Sequence, residues 1–90
     1  MIDINKILNS DRIEVSFAEI NVNAQYVKNF RKRFNLTQIE LANIIGDSLK
    51  TISDWESGRL EVTGSGSILI YLLNNNPDLI SQLYKKEIKR

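Results

Sequence analysis

Between Asn35 and Gly58 the chain reads NLTQIELANIIGDSLKTISDWESG, two short helical patterns joined at one glycine, and no other stretch constrains the fold as tightly. Thr37-Gln38-Ile39-Glu40 is a capping box, in which hydroxyl and carboxylate each satisfy a backbone donor left free at a helix start. Leu36 precedes it and can staple onto the helix. Leu41, Ala42 and Ile45 form the expected inward stripe, and Ala42 is small enough to let a second helix cross closely. Ile39 and Ile44 are then expected outward. Gly46 ends this helix, because glycine tolerates positive φ. The next helix starts at Asp47 or Ser48, both good caps. Its spacing sends Ile52 and Trp55 inward and leaves Leu49, Lys50, Ser53 and Asp54 outward, with Gly58 as the stop. One helix thus props another whose leading end is small and polar, the layout of a helix-turn-helix that sets a recognition helix into the DNA major groove.

The flanks extend the helical pattern. Val27, Phe30 and Phe34 recur on one face with Tyr26 beside them, which predicts a helix over Asn23–Phe34 with Asn23 as its cap. Its other positions carry Lys28, Arg31, Lys32 and Arg33, a cluster that suits either solvent or DNA. Residues 59–65 read as a loop. A fourth helix runs from Ser65 through Ile68, Leu69, Leu72 and Leu73 to Asn74. Asn76-Pro77 then opens a fifth, with Leu79, Ile80, Leu83, Tyr84 and Ile88. Upstream, Ile4, Ile7 and Leu8 are spaced for a short helical face. Arg12-Ile13-Glu14-Val15-Ser16-Phe17 alternates like a strand, which lies extended on the domain, is disordered, or pairs with another chain.

Composition narrows the chemistry. Ninety residues make one domain, and the chain has no cysteine and no histidine. Disulfides, thiolate metal sites and histidine-dependent triads are therefore excluded, and neither a cofactor nor a metal is expected. The pair Glu40 and Glu56 reads as cap and ion pair rather than acid–base machinery, and Gly64-Ser65-Gly66-Ser67 as a turn into a helix rather than a phosphate loop. The chain is not expected to be an enzyme. No apolar run reaches the ~18 residues of a membrane span, and the N-terminus lacks a signal-peptide pattern, so a cytoplasmic location is expected. Residues 1–21 hold two basic and four acidic side chains, whereas residues 22–90 hold ten and seven. Lys85, Lys86, Lys89 and Arg90 suit the negative end of a last helix as well as they suit phosphate.

Leu36-Thr37-Gln38, Glu40-Leu41-Ala42, Gly46, Thr51-Ile52-Ser53, Trp55-Glu56 and Gly58 resemble the signature of the Xre/Cro-type helix-turn-helix family of bacterial and phage repressors. The resemblance covers about Val27 to Leu73. Thr63-Gly64, the apolar helix after it and Asn76-Pro77 are also similar to HigA-like and MqsA-like antitoxins of toxin–antitoxin pairs. The resemblance implies an all-α, five-helix, lambda-repressor-like domain over residues 22–90, with residues 1–21 as an N-terminal extension. It implies that Gln38 meets a DNA phosphate and that Thr37 caps its helix beside the backbone. Ser48, Leu49 and Lys50 would lead the recognition helix, with Lys50 donating to guanine and Leu49 packing on a thymine methyl. Thr51 would sit near phosphate, Ser53 on the same outward face, Asp54 near a cytosine amine and Arg59 at the backbone. Arg31 and Glu56 would form a structural ion pair.

One recognition helix reads too few bases for useful specificity. A homodimer on an inverted repeat is therefore expected, its half-sites about one helical turn apart. Leu73, Leu79, Leu83, Tyr84 and Ile88 exceed what one small core needs, so the last two helices are the expected dimer surface. The expected function is an autoregulating antitoxin that represses its operon and binds a toxin through residues 1–21. Two alternatives stand beside it. One is a phage or mobile-element repressor without a toxin. The other is a protein-interaction module that has lost DNA binding, suggested by Asp47 and Asp54.

Overall fold

The computed structural model describes residues 20–84. The chain forms α1 (Ala24–Phe34), α2 (Gln38–Ile45), α3 (Leu49–Ser57), α4 (Gly64–Asn75), a 3-10 turn (Pro77–Leu79) and α5 (Ile80–Leu83). The all-α, five-helix expectation holds, and no strand occurs among the described residues. The expected helix at Ile4–Leu8, the strand at Arg12–Phe17, Ile88 and the C-terminal basic cluster lie outside them. No helix among the described residues is long and apolar enough to cross a membrane.

Local chemistry fixes each boundary. Asn23 caps α1 by accepting from the Tyr26 N–H at 2.9 Å. Asn35 closes α1 in the left-handed conformation at φ 53°, where its N–H reaches back to the carbonyls of Arg31 and Lys32. The capping box of α2 is complete: Glu40 N–H donates to Thr37 Oγ1 at 3.1 Å, and Thr37 N–H to Glu40 Oε1 at 2.8 Å. Gly46 turns the chain between α2 and α3 at φ 74°, a region that costs most side chains strain. Ser48, not Asp47, caps α3, its Oγ accepting from the Thr51 N–H at 3.1 Å.

Val27, Phe30, Leu41, Ile52, Ile70 and Leu73 are the largest fully buried side chains, and they come from four helices. Two expectations need correction. Ile44 is buried rather than outward, and Ile45 is only half-buried. The inward face of α2 thus runs through Leu41, Ala42 and Ile44, and of the two isoleucines expected outward only Ile39 stays exposed. Leu73 belongs to the core and not to a surplus. Along α4 the buried residues are Gly66, Ser67, Ile70 and Leu73, at helical spacing. Ile68 and Leu72, one turn apart, stay exposed together with Leu79 and Leu83.

Gly66 sets how closely α4 approaches α3. A Cβ at this position would lie 2.8 Å from Trp55 Cη2 and 2.5 Å from Asp47 Oδ2. Asp47 therefore places its carboxylate against the first turn of α4, where the helix dipole favours an acid. At the other end of α4, Arg33 Nη1 donates to the backbone and side-chain oxygens of Asn74 at 2.6 and 2.9 Å. Its guanidinium stacks 4.8 Å from the Phe34 ring centre. Arg33 is thus a latch between α1 and α4. The fifth helix is shorter than expected and begins as a 3-10 turn. Asn76 turns its amide back to the Leu72 carbonyl at 2.9 Å instead of capping forward. Tyr84 leaves α5 in an extended conformation, and its hydroxyl donates to Glu40 Oε2.

Candidate nucleic-acid interface

Helix α3 separates two jobs by face. Ile52 and Trp55 anchor it in the core, while Ser48, Leu49, Lys50 and Ser53 are exposed along its first two turns. Leu49 is 45% exposed. Thr51 is half-buried, and its Oγ1 lies 2.9 Å from Ser48 Oγ, so the two hydroxyls share the cap. Thr37 is exposed at the start of α2, with its hydroxyl engaged in the capping box. The first N–H groups of each helix have no partner within the helix, which suits both starts to an anion.

Glu56 fixes the angle between the helices. It is buried at 6% exposure and accepts from Arg31 Nε at 2.5 Å and Arg31 Nη2 at 2.7 Å. Arg31 Nη1 also donates to the Leu36 carbonyl in the link between α1 and α2, at 3.0 Å. A third donor reaches the same carboxylate: Gln38 Nε2 to Glu56 Oε1 at 3.2 Å. One buried carboxylate thus ties together α1, the start of α2 and α3. Burial pushes the Glu56 carboxyl up, but hydrogen bonds from Arg31 and Gln38, with the charges of Arg31 and Lys28, outweigh it. The net result holds the group below its ordinary range. The Arg31 guanidinium in turn binds its proton more tightly, chiefly through its hydrogen bond to Glu56.

Lys50, Asp54 and Arg59 form a second cluster, on the outward side. Lys50 Nζ lies 2.7 Å from Asp54 Oδ2, and Arg59 Nη1 lies 3.9 Å from Asp54 Oδ1. The two cations protrude, with side chains 78% and 77% exposed, while that of Asp54 is 17% exposed. Sequence spacing places these residues singly and did not reveal their association. The i,i+4 spacing of Lys50 and Asp54 was the available signal. It also missed that the Gln38 amide turns toward Glu56. No signal short of the folded helix pair marks that contact.

Residues 5–84 match the family model described as the antitoxin component of a bacterial toxin–antitoxin system, MqsA. Antitoxin HigA-2 of Vibrio cholerae serotype O1 is 26% identical over 65 residues, a stretch that covers 72% of this chain and 62% of that protein. The chain therefore spans less than two thirds of the length of this curated relative.

Proposed function

We propose that this chain, which belongs to the MqsA family of antitoxin components of bacterial toxin–antitoxin systems, binds duplex DNA sequence-specifically and represses its own operon. The observation that carries the proposal is the division of α3. Its inner side is locked by Ile52, Trp55 and Glu56, and its leading outer side presents Ser48, Leu49, Lys50 and Ser53 to solvent. A rigid helix with a short polar leading end fits the major groove, where Lys50 donates to guanine and Leu49 covers a thymine methyl. Thr37, Gln38, Thr51 and Arg59 flank it on the phosphate side.

Family membership implies a toxin partner, and residues 1–21 are the segment we assign to it. Ile68, Leu72, Leu79 and Leu83 are the exposed apolar side chains of α4 and the chain after it. We assign them to a homodimer contact that sets two α3 helices on an inverted repeat.

The test is a titration of the full chain against the DNA immediately upstream of its own gene and against a scrambled duplex of equal length and composition. The upstream DNA should bind at least roughly 1,000-fold more tightly at physiological salt. Lys50→Ala should narrow that ratio by about tenfold or more. Gln38→Ala should weaken both duplexes by a common factor. Equal affinity of the unmutated chain for the two duplexes would contradict the proposal.

A further inference from the structure

The Lys50–Asp54–Arg59 cluster is badly placed to stabilise the fold. Lys50 sits in the first turn of α3 and Asp54 in its second half, the reverse of what the helix dipole favours. A lysine four residues before an acid is also the weaker order for a helical pair. Cations as exposed as these contribute little through surface pairing. The carboxylate nevertheless spends one oxygen on each cation, Oδ2 on Lys50 and Oδ1 on Arg59. These are two cations of the face assigned above to DNA.

We propose that Asp54 is a specificity-determining residue that acts as a built-in competitor for phosphate, holding Lys50 and Arg59 back from DNA of arbitrary sequence. This rests on the DNA-binding reading given above. Affinity for random DNA comes almost wholly from cations meeting phosphates, and it is independent of sequence. A carboxylate hydrogen-bonded to Lys50 at 2.7 Å, with Arg59 at the longer 3.9 Å, competes chiefly for Lys50 and weakens that term, and its own charge repels the backbone. At a matched site, short hydrogen bonds from Lys50 to a base edge replace the internal pair. Random DNA offers no equivalent replacement. The internal acid thus lowers non-specific binding more than specific binding and widens the gap between them. Asp54 does not read a cytosine amine in this account, because both of its oxygens are turned to its own chain's cations.

The test uses the full chain with the upstream duplex and the scrambled duplex, across a series of salt concentrations. Asp54→Asn preserves shape and removes the charge. It should raise affinity for scrambled DNA on the order of tenfold and steepen its log K against log salt slope by about 1, for one added phosphate contact. Affinity for the upstream duplex should rise less, so the specificity ratio falls. Asp54→Glu should keep the ratio of the unmutated chain. The double variant Lys50→Ala/Asp54→Asn should lose most of the gain on scrambled DNA. A drop in upstream affinity with scrambled DNA unchanged would show Asp54 reading a base and overturn the proposal. An equal rise on both duplexes would overturn it as well. The unmutated chain reports separately on the DNA-binding reading: if it does not discriminate between the duplexes, that reading fails whatever the variants do.

Discussion

Arg31→Met should destabilise the folded chain by about 2–3 kcal/mol at neutral pH, measured by urea denaturation. The substitution keeps most of the stem and leaves the Glu56 carboxylate buried without its bidentate partner. A fully buried pair broken this way costs about 3–5 kcal/mol, and Arg31 at 24% exposure places the loss below that range. The double variant Arg31→Met/Glu56→Leu should recover most of the loss, because it removes the stranded charge with its partner. The effect should also depend on pH. In the unmutated chain the Glu56 carboxyl lies below its ordinary value of 4.5. Its stabilising contribution is therefore complete above that value and is lost as pH falls through the depressed one. Without Arg31 the main influence opposing burial is gone, so the carboxyl should lie higher and less of that contribution should survive at neutral pH. The gap between the two chains should shrink on acidification. A gap that is small at neutral pH or constant with pH would show that the pair does not hold the helices.

Gly66→Val should destabilise by about 3 kcal/mol, and Gly66→Ala by about 1 kcal/mol net. Helix propensity alone predicts the opposite sign for alanine, a gain of about 1 kcal/mol within a helix. The close approach decides. Asp47 Oδ2, at 2.5 Å from the added carbon, is the end of a flexible side chain and can swing aside. Trp55 Cη2, at 2.8 Å, belongs to a ring buried in the core and cannot. Deleting that atom should remove the conflict, so the alanine penalty should largely vanish in a Trp55→Phe background. Urea midpoints followed by circular dichroism read both effects, since Trp55 is the chain's single tryptophan. Stabilisation by Gly66→Ala in the unmutated background would mean that α4 and α3 do not meet at this residue.

The sequence was most legible where short-range chemistry sets the structure. Thr37 and Glu40 announce the start of α2, Ser48 that of α3, and Asn35, Gly46 and Gly58 the ends, because caps depend on residues within one turn. Periodicity also placed Trp55 and Ile52 in the core. It misplaced Ile44, since a two-turn helix offers too few positions to fix which neighbour faces inward. The last helix failed for a different reason. Asn76 bonds backward to Leu72 and Tyr84 bonds across the chain to Glu40, and the second contact depends on tertiary structure. At the candidate interface, residue types on the outer side of α3 were readable from spacing. Their mutual engagement was not: Lys50 and Arg59 share Asp54, and Gln38 shares Glu56 with Arg31. Those links depend on side-chain reach across a turn or between helices.

The most direct measurement is a map of backbone amide chemical shifts in the full chain as the upstream duplex is added. DNA recognition by the start of α3 predicts that the largest changes fall on Thr37, Gln38, Ser48, Leu49, Lys50, Thr51 and Ser53. Ile68, Leu72 and Leu83 should change little. Shifts confined to that apolar face, with the start of α3 silent at saturating DNA, would contradict it.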